Sequence, residues 1–272
     1  MIYSINFAEG QVYKKIQSKN TKSAYRKGKV DKVIEYSLSD IDSEYRIKHQ
    51  DIFRYKRGAG LWLWKPYIIL NALSMMKEGD WLFYCDSGAI FIDKVQHLID
   101  CAIDQKQSIL LFELPLKNRQ WTKKETYMMM GFEDFDENQI LGSYILLKNE
   151  KKNIDFIREW QYYMEQEELL SPEHFYPNIL ENDNFIAHRE DQSILTLLRI
   201  KYNLPAYRDP SDYGIMPYMY FSHERLYEPQ KYETSNYPVI LLCVRSSNYL
   251  IYKLKFYLKP YLCKMGLYNK TI

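Results

Sequence analysis

The chain has 272 residues, 46% apolar and 26% charged, with a formal net charge of +2. That length suits one large domain or two small ones with a substantial core, and the composition excludes a disordered chain. The near-neutral balance gives no sign of nucleic acid as a partner, while 26 Tyr and 5 Trp supply stacking faces for sugars and bases as well as core and rim.

Ile2 to Phe7 reads as a short apolar strand, Gln11 to Arg26 as a polar helix stopped by Gly28, and Val30 to Ser37 as a second strand. Asn6, Phe7 and Ala8, closing the first strand, are candidates for lining a base pocket as well as plain structure. Ser39 to Asp42 caps a helix across Ser43 to Tyr55. The run Arg57-Gly-Ala-Gly-Leu-Trp-Leu-Trp-Lys-Pro66 then leads into another helix. Pro66 suits its first turn, and Ile69, Leu70, Leu73 and Met76 recur at helical spacing. The glycines free the backbone for a close approach, and at least one of Trp62 and Trp64 reads as core. Arg57 and Lys65 place two cations beside them, which suits a leaving diphosphate.

Trp81 to Cys85 reads as a strand that follows a Gly-Asp turn and stops at Asp86, with the small residues Ser87 and Gly88 next. In an open α/β sheet, ligands bind where strands end. Asp86 therefore has two readings: a holder for a bare or metal-bound diphosphate, or the opening of an ordinary turn. Asp93 to Asp104 is a helix, and Ser108 to Glu113 a buried strand of the kind parallel sheets use. Pro115 to Gln120 reads as a polar loop. Trp121 to Thr126 opens a helix ending at Met130, with Thr122 and Glu125 as a capping box. Phe132 to Glu137 is an acidic turn. Ile140 to Asn149 is a strand whose Gly142-Ser143 admits a ligand or another backbone. Asn153 to Leu170 is an amphipathic helix with Trp160 in its core stripe.

His188-Arg-Glu-Asp-Gln192 gathers five polar residues at the start of a helix anchored by Ile194, Leu195 and Leu198. Asp191 serves there as an N-cap or first-turn acid, which accounts for it alone but not for the cluster. Pro205 to Tyr220 is a loop-rich aromatic stretch. From Val239 to Ile272 there is no acid, and Arg245, Lys253, Lys255, Lys259, Lys264 and Lys270 are basic. Leu250, Leu254, Tyr257, Leu258 and Tyr261 fall at helical spacing within Asn248 to Leu262. Such a helix either docks on the body or lies on an anionic membrane surface, and the second reading is favoured.

The β-α-β-α alternation argues for an α/β fold with a mostly parallel sheet and helices on both faces. Cys85, Cys101, Cys243 and Cys263 show neither paired spacing nor a histidine at ligand spacing, which argues against zinc. The start lacks a secretory pattern, and no run reaches the roughly eighteen apolar residues of a spanning helix. The expected setting is the cytoplasm, with reduced thiols.

Tyr84-Cys-Asp-Ser-Gly-Ala-Ile-Phe91 resembles the strand-ending acidic motif of GT-A-fold glycosyltransferases. Arg57 to Pro66 resembles a group of bacterial surface-polysaccharide (capsule, O-antigen, lipooligosaccharide) glycosyltransferases, and the likeness spans roughly residues 1 to 205. The resemblance implies a GT-A-like domain over residues 1–238 and a basic helical tail over 239–272. It implies a hexose moved from a nucleotide sugar, a UDP sugar first, to a hydroxyl of a surface glycan or lipid-linked acceptor. The donor would meet Phe7, Arg57, Lys65, Asp86, Ser87 and Gly88, and the acceptor Trp121, Lys123 and His188. Asp191-Gln192 resembles the Asp-Gln element of retaining galactosyl- and glucosyltransferases. By that likeness Asp191 orients the sugar or acceptor, Gln192 faces the reacting carbon, and configuration is retained. Gly88 replaces the second acid of the family's Asp-x-Asp. A Mn2+ or Mg2+ ion would then rest on Asp86 and, by position only, His223; without one, Arg57 and Lys65 neutralise the diphosphate. The alternative is a catalytically inactive nucleotide-sugar- or carbohydrate-binding subunit, with Gly88 as the lesion. With lipid-linked acceptors, the tail would hold the protein on the inner face of the cytoplasmic membrane. The transferase reading requires the segment ending at Asp86 and the one starting at Asp191 to meet across a shared cleft, with neither carboxylate buried under packed side chains.

Overall fold

The computed structural model describes residues 1–133, 137–243, 252–254 and 256–258. Six strands form the main sheet: β1 (Ile2–Phe7), β2 (Lys32–Tyr36), β3 (Trp81–Cys85), β5 (Ile109–Lys117), β6 (Asn138–Lys148) and β7 (Ala206–Arg208). Their order is β2-β1-β3-β6-β5-β7. β6 pairs antiparallel with both β3 and β5, and the other pairs are parallel. A separate two-stranded ladder joins β4 (Ala89–Phe91) to β8 (Leu241–Cys243).

Strand side chains alternate between faces. On one face Leu82, Tyr84, Ile145 and Leu147 pack beneath α5 (Trp64–Ser74), α8 (Lys151–Met164), α9 (Glu167–Leu170) and α10 (Glu190–Lys201). On the other, Phe83, Cys85, Leu110, Phe112 and Leu146 pack against α6 (Gln96–Asp104) and Ala24, just past α1 (Gln11–Ser23). Helices therefore cover both faces of a mostly parallel sheet, the α/β class expected from the alternation.

Several boundaries differ for tertiary reasons. The first helix widens into a π turn over Ala24–Gly28. The helix expected across Ser43 to Tyr55 breaks at His49 into α2 (Ser43–Lys48) and α3 (Gln50–Phe53), and the one expected from Asn153 to Leu170 breaks at Gln166, whose backbone is extended. Pro115 to Gln120 is not a loop throughout: β5 runs on to Lys117, because Leu114 and Leu116 are buried and the Lys117 N–H donates to the Leu226 carbonyl. The capping box of Thr122 and Glu125 does not form. α7 (Lys124–Met129) starts without a side-chain cap. Thr122 donates instead to Asn118, and the Glu125 carboxylate accepts from the backbone N–H groups of Phe175 and Tyr176.

The boundary expected after residue 238 falls inside the folded body, since Ile240, Leu241 and Leu242 are fully buried and β8 pairs with β4. Of the predicted tail helix, 252–254 and 256–258 are helical, and Tyr252 donates to the Asp212 carboxylate. Leu254, Tyr257 and Leu258 are exposed. The rest of that helix lies outside the described residues, as does the middle of the acidic turn at 132–137. Among the described residues no helix is long and apolar enough to cross a membrane.

Candidate active site

The sheet's carboxyl edge brings together residues far apart in sequence. β3 ends at Asp86, whose N–H donates to the Ser143 carbonyl on β6, and the Tyr84 hydroxyl donates to Asp86 Oδ1 at 2.5 Å. Lys65, in the first turn of α5, lies 5.4 Å from the Tyr84 ring centre. Its ammonium donates to the Gly142 carbonyl at 2.9 Å and closes an ion pair with Asp191, in the first turn of α10. Burial raises the Asp191 carboxyl above the usual range, the neighbouring Asp86 adds to the rise, and Lys65 opposes it. Burial likewise drives the Tyr84 phenol far up, so it stays a donor to Asp86. The two segment tips meet through Tyr84 and Lys65, but not across the expected open cleft, because Asp191 is buried under Lys65.

The backbone of β6 has to pass very close here. A Cβ at Gly142 would stand 2.5 Å from Asp191 Oδ2 and 2.8 Å from Gln192 Cγ, so only glycine fits without displacing the pair. Gln192 accepts from the Gly142 N–H at 3.1 Å and donates to Gln139 at 3.2 Å. Gln192 and Asp86 are half-buried, Ser87 is 8% exposed, and Gly88 is open with nothing near its Cβ position.

The short α4 (Gly58–Leu61) before α5 is left-handed at Ala59, Gly60 and Leu61, and so is Trp62 after it. Three of these are not glycine, and such residues cost of the order of 1–3 kcal/mol each. The close approach that Gly60 permits is to Phe53, at 2.7 Å from its Cβ position, and thus to the protein's own core. The turn aims Arg57 across Trp62 toward Glu190, which accepts from Nε at 2.6 Å and from Nη2 at 3.3 Å.

Phe7, expected in a base pocket, is 7% exposed and stacked on Trp64 with ring centres 3.7 Å apart. Neither Arg57 nor Lys65 is an unpaired cation, since each has its own carboxylate. Asp191 is 4% exposed and committed to Lys65, so in this arrangement it positions the pair and Gly142 and does not reach a sugar. Lys123 is fully buried between Glu125 and the Glu173 carbonyl. His188 is 3% exposed, accepts from the Lys123 N–H through Nδ1, and is pushed down to about 3 by burial and the nearby Lys123.

His223 is exposed, its ring against Phe221 at 5.6 Å. Among the described residues no group of three His, Cys, Asp or Glu side chains is placed to hold a metal ion. A lone carboxylate that already accepts from Tyr84, with Ser87 and Gly88 after it, does not make the oxygen-rich donor set of Mn2+ or Mg2+. The expected ion on Asp86 and His223 does not fit.

Trp121 is 6% exposed and carries the Arg189 guanidinium 3.9 Å from its ring centre and that of Arg225 at 5.6 Å. Gln120 ties this corner together: its carbonyl accepts from Ile186 N–H, its amide donates to the Glu224 carbonyl, and its Oε1 accepts from Leu226 N–H. Sequence reasoning passed over Tyr84, Gln120, Arg189 and Arg225 as functional residues. Arg189 stood inside the polar cluster before α10, whereas Arg225 had no local signal.

No protein-family model matches the chain, and no curated protein sequence matches it. Solved structures with a similar chain path include apo xyloside xylosyltransferase 1 from mouse, at 9% identity and a TM-score of 0.45, covering 90% of this chain and 97% of that one. Another is the galactosyltransferase LgtC with donor and acceptor sugar analogues, at 14% identity and a TM-score of 0.47, covering 90% and 87%. A third is a glycosyltransferase involved in glycosylating the major capsid of PBCV-1, at 9% identity and a TM-score of 0.40, covering 94% and 98%. Likeness at that level assigns no activity to this chain.

Proposed function

We propose that the protein is a glycosyltransferase that moves a hexose from a nucleotide sugar, a UDP sugar first, to a hydroxyl of a surface glycan or lipid-linked acceptor, with retention. The observation that carries this reading is the junction of Asp86, at the carboxyl end of β3, with the start of α10 through Tyr84 and Lys65. A carboxylate at that edge, next to the open Gly88, suits the donor's hydroxyls. Arg57 is exposed, and Glu190 occupies only part of its five-donor fork, which leaves N–H groups for a departing diphosphate. Gln192, half-buried beside Gly142, is the amide placed to meet the reacting sugar, while Asp191 and Lys65 hold its helix turn in place. The gain is positioning and charge stabilisation.

A second reading, a donor-binding subunit without catalysis, draws on the sealing of Asp191 by Lys65. Incubation with a panel of nucleotide sugars, with and without manganese, separates them. Released nucleotide that falls by about 100-fold in Asp86→Asn and Gln192→Ala, with melting unchanged, supports the transferase. Tight donor binding with no release from any sugar favours the binding subunit. The basic tail would hold the protein on the inner, anionic face of the membrane, near lipid-linked acceptors.

A further inference from the structure

The corner built on Trp121 is not used by the chemistry above. Arg189 and Arg225 both face its indole, yet among the described residues neither forms an ion pair. Arg225 donates to the Tyr220 carbonyl at 3.0 Å, and Glu190, the acid that acts on Arg189, is taken by Arg57. The two half-buried guanidiniums and Arg57 repel one another, and one carboxylate, Glu190, offsets all three. The strain shows on Arg189, which is brought down to about 10 by burial first and then by Arg225. Such a cluster is relieved by an anion that two planar forks can grip together, and a phosphate dianion matches both charge and geometry.

Position says which phosphate. Trp121 follows the end of β5, and β6 separates β5 from β3 and Asp86, so the two strands lie about 10 Å apart across the sheet. The corner is bounded by 185–189 and 220–227, which Gln120 ties to the same platform. We infer that Arg189 and Arg225, laid on Trp121, form a subsite for a phosphate carried by the acceptor, distinct from the donor's diphosphate. This rests on the proposed transfer reaction for the word acceptor, but the phosphate affinity does not depend on turnover.

The test is calorimetric titration of the full chain with glucose 6-phosphate, glucose and UDP, for the wild type, Arg189→Gln/Arg225→Gln and the single Arg225→Gln. The wild type is expected to bind glucose 6-phosphate more tightly than glucose, by roughly tenfold, and the preference should shrink as salt rises. The double variant should lose that preference and the single variant part of it, while UDP affinity stays unchanged and attests to a folded protein. Absence of a preference in the wild type, or its survival in the double variant, overturns the subsite. A parallel loss of UDP affinity overturns it in favour of the donor's diphosphate. If the wild type releases no nucleotide from any donor, the transferase reading fails, and the preference for glucose 6-phosphate still decides the subsite.

Discussion

Lys65 and Asp191, 126 residues apart, form an ion pair whose side chains are only 3% and 6% exposed, beneath the Gly142 carbonyl. Removing one partner strands a buried charge. Lys65→Met should lower unfolding free energy by about 3–5 kcal/mol in denaturant titrations, and Lys65→Met/Asp191→Leu should regain most of it. A double variant no more stable than the single one would show that the two charges are not each other's main support.

Gly142 and Gly88 make a matched pair of steric tests. Gly142→Ala drives a methyl into Asp191 and Gln192 and should cost about 1–3 kcal/mol along with donor turnover. Gly88→Ala meets nothing and should stay within about 0.5 kcal/mol. Equal melting temperatures for the two variants would contradict this packing.

The elements that sequence alone made legible are those whose burial is declared locally. β1 and β3 are apolar runs between turn signals, and Ile194, Leu195 and Leu198 announce α10. What stayed hidden depended on partners far along the chain. Glu125 looked like a cap for Thr122 until Phe175 and Tyr176 offered better-placed N–H groups. Arg57 and Lys65 stood out as cations beside glycines, but nothing nearby in sequence says that Glu190 and Asp191 would neutralise them. Lys123 and His188 looked available as polar residues and are core.

The pH dependence of stability should carry two opposed signatures. His188 is depressed to about 3, so the unfolded chain takes up a proton below about 6.5 that the fold refuses. Stability therefore falls as pH drops from 6.5 toward 3, by at most about 1.4 kcal/mol per unit from this group. His188→Asn should flatten that slope. Asp209 is raised to about 6 by burial, so the fold binds its proton before the unfolded chain does and gains stability as pH falls below 6. Asp209→Asn should steepen the acid loss. Denaturation at pH 7.0 and 4.5 reads both, and slopes unchanged in either variant would remove that residue from the account.

Membrane association, if it resides in the tail, should be electrostatic. Deleting residues 245–272 should abolish co-sedimentation with vesicles rich in anionic lipid, and added salt should weaken binding of the intact chain. Binding that survives the deletion would place the contact elsewhere.

Gln120 holds backbone from 186, 224 and 226 with one side chain and its own carbonyl. A loop rim laced through a single amide moves as a hoop and not as separate flaps. Whatever enters beside Trp121 must therefore be admitted by both stretches at once, and Gln120→Ala would release 224–226 while its backbone carbonyl still held 186.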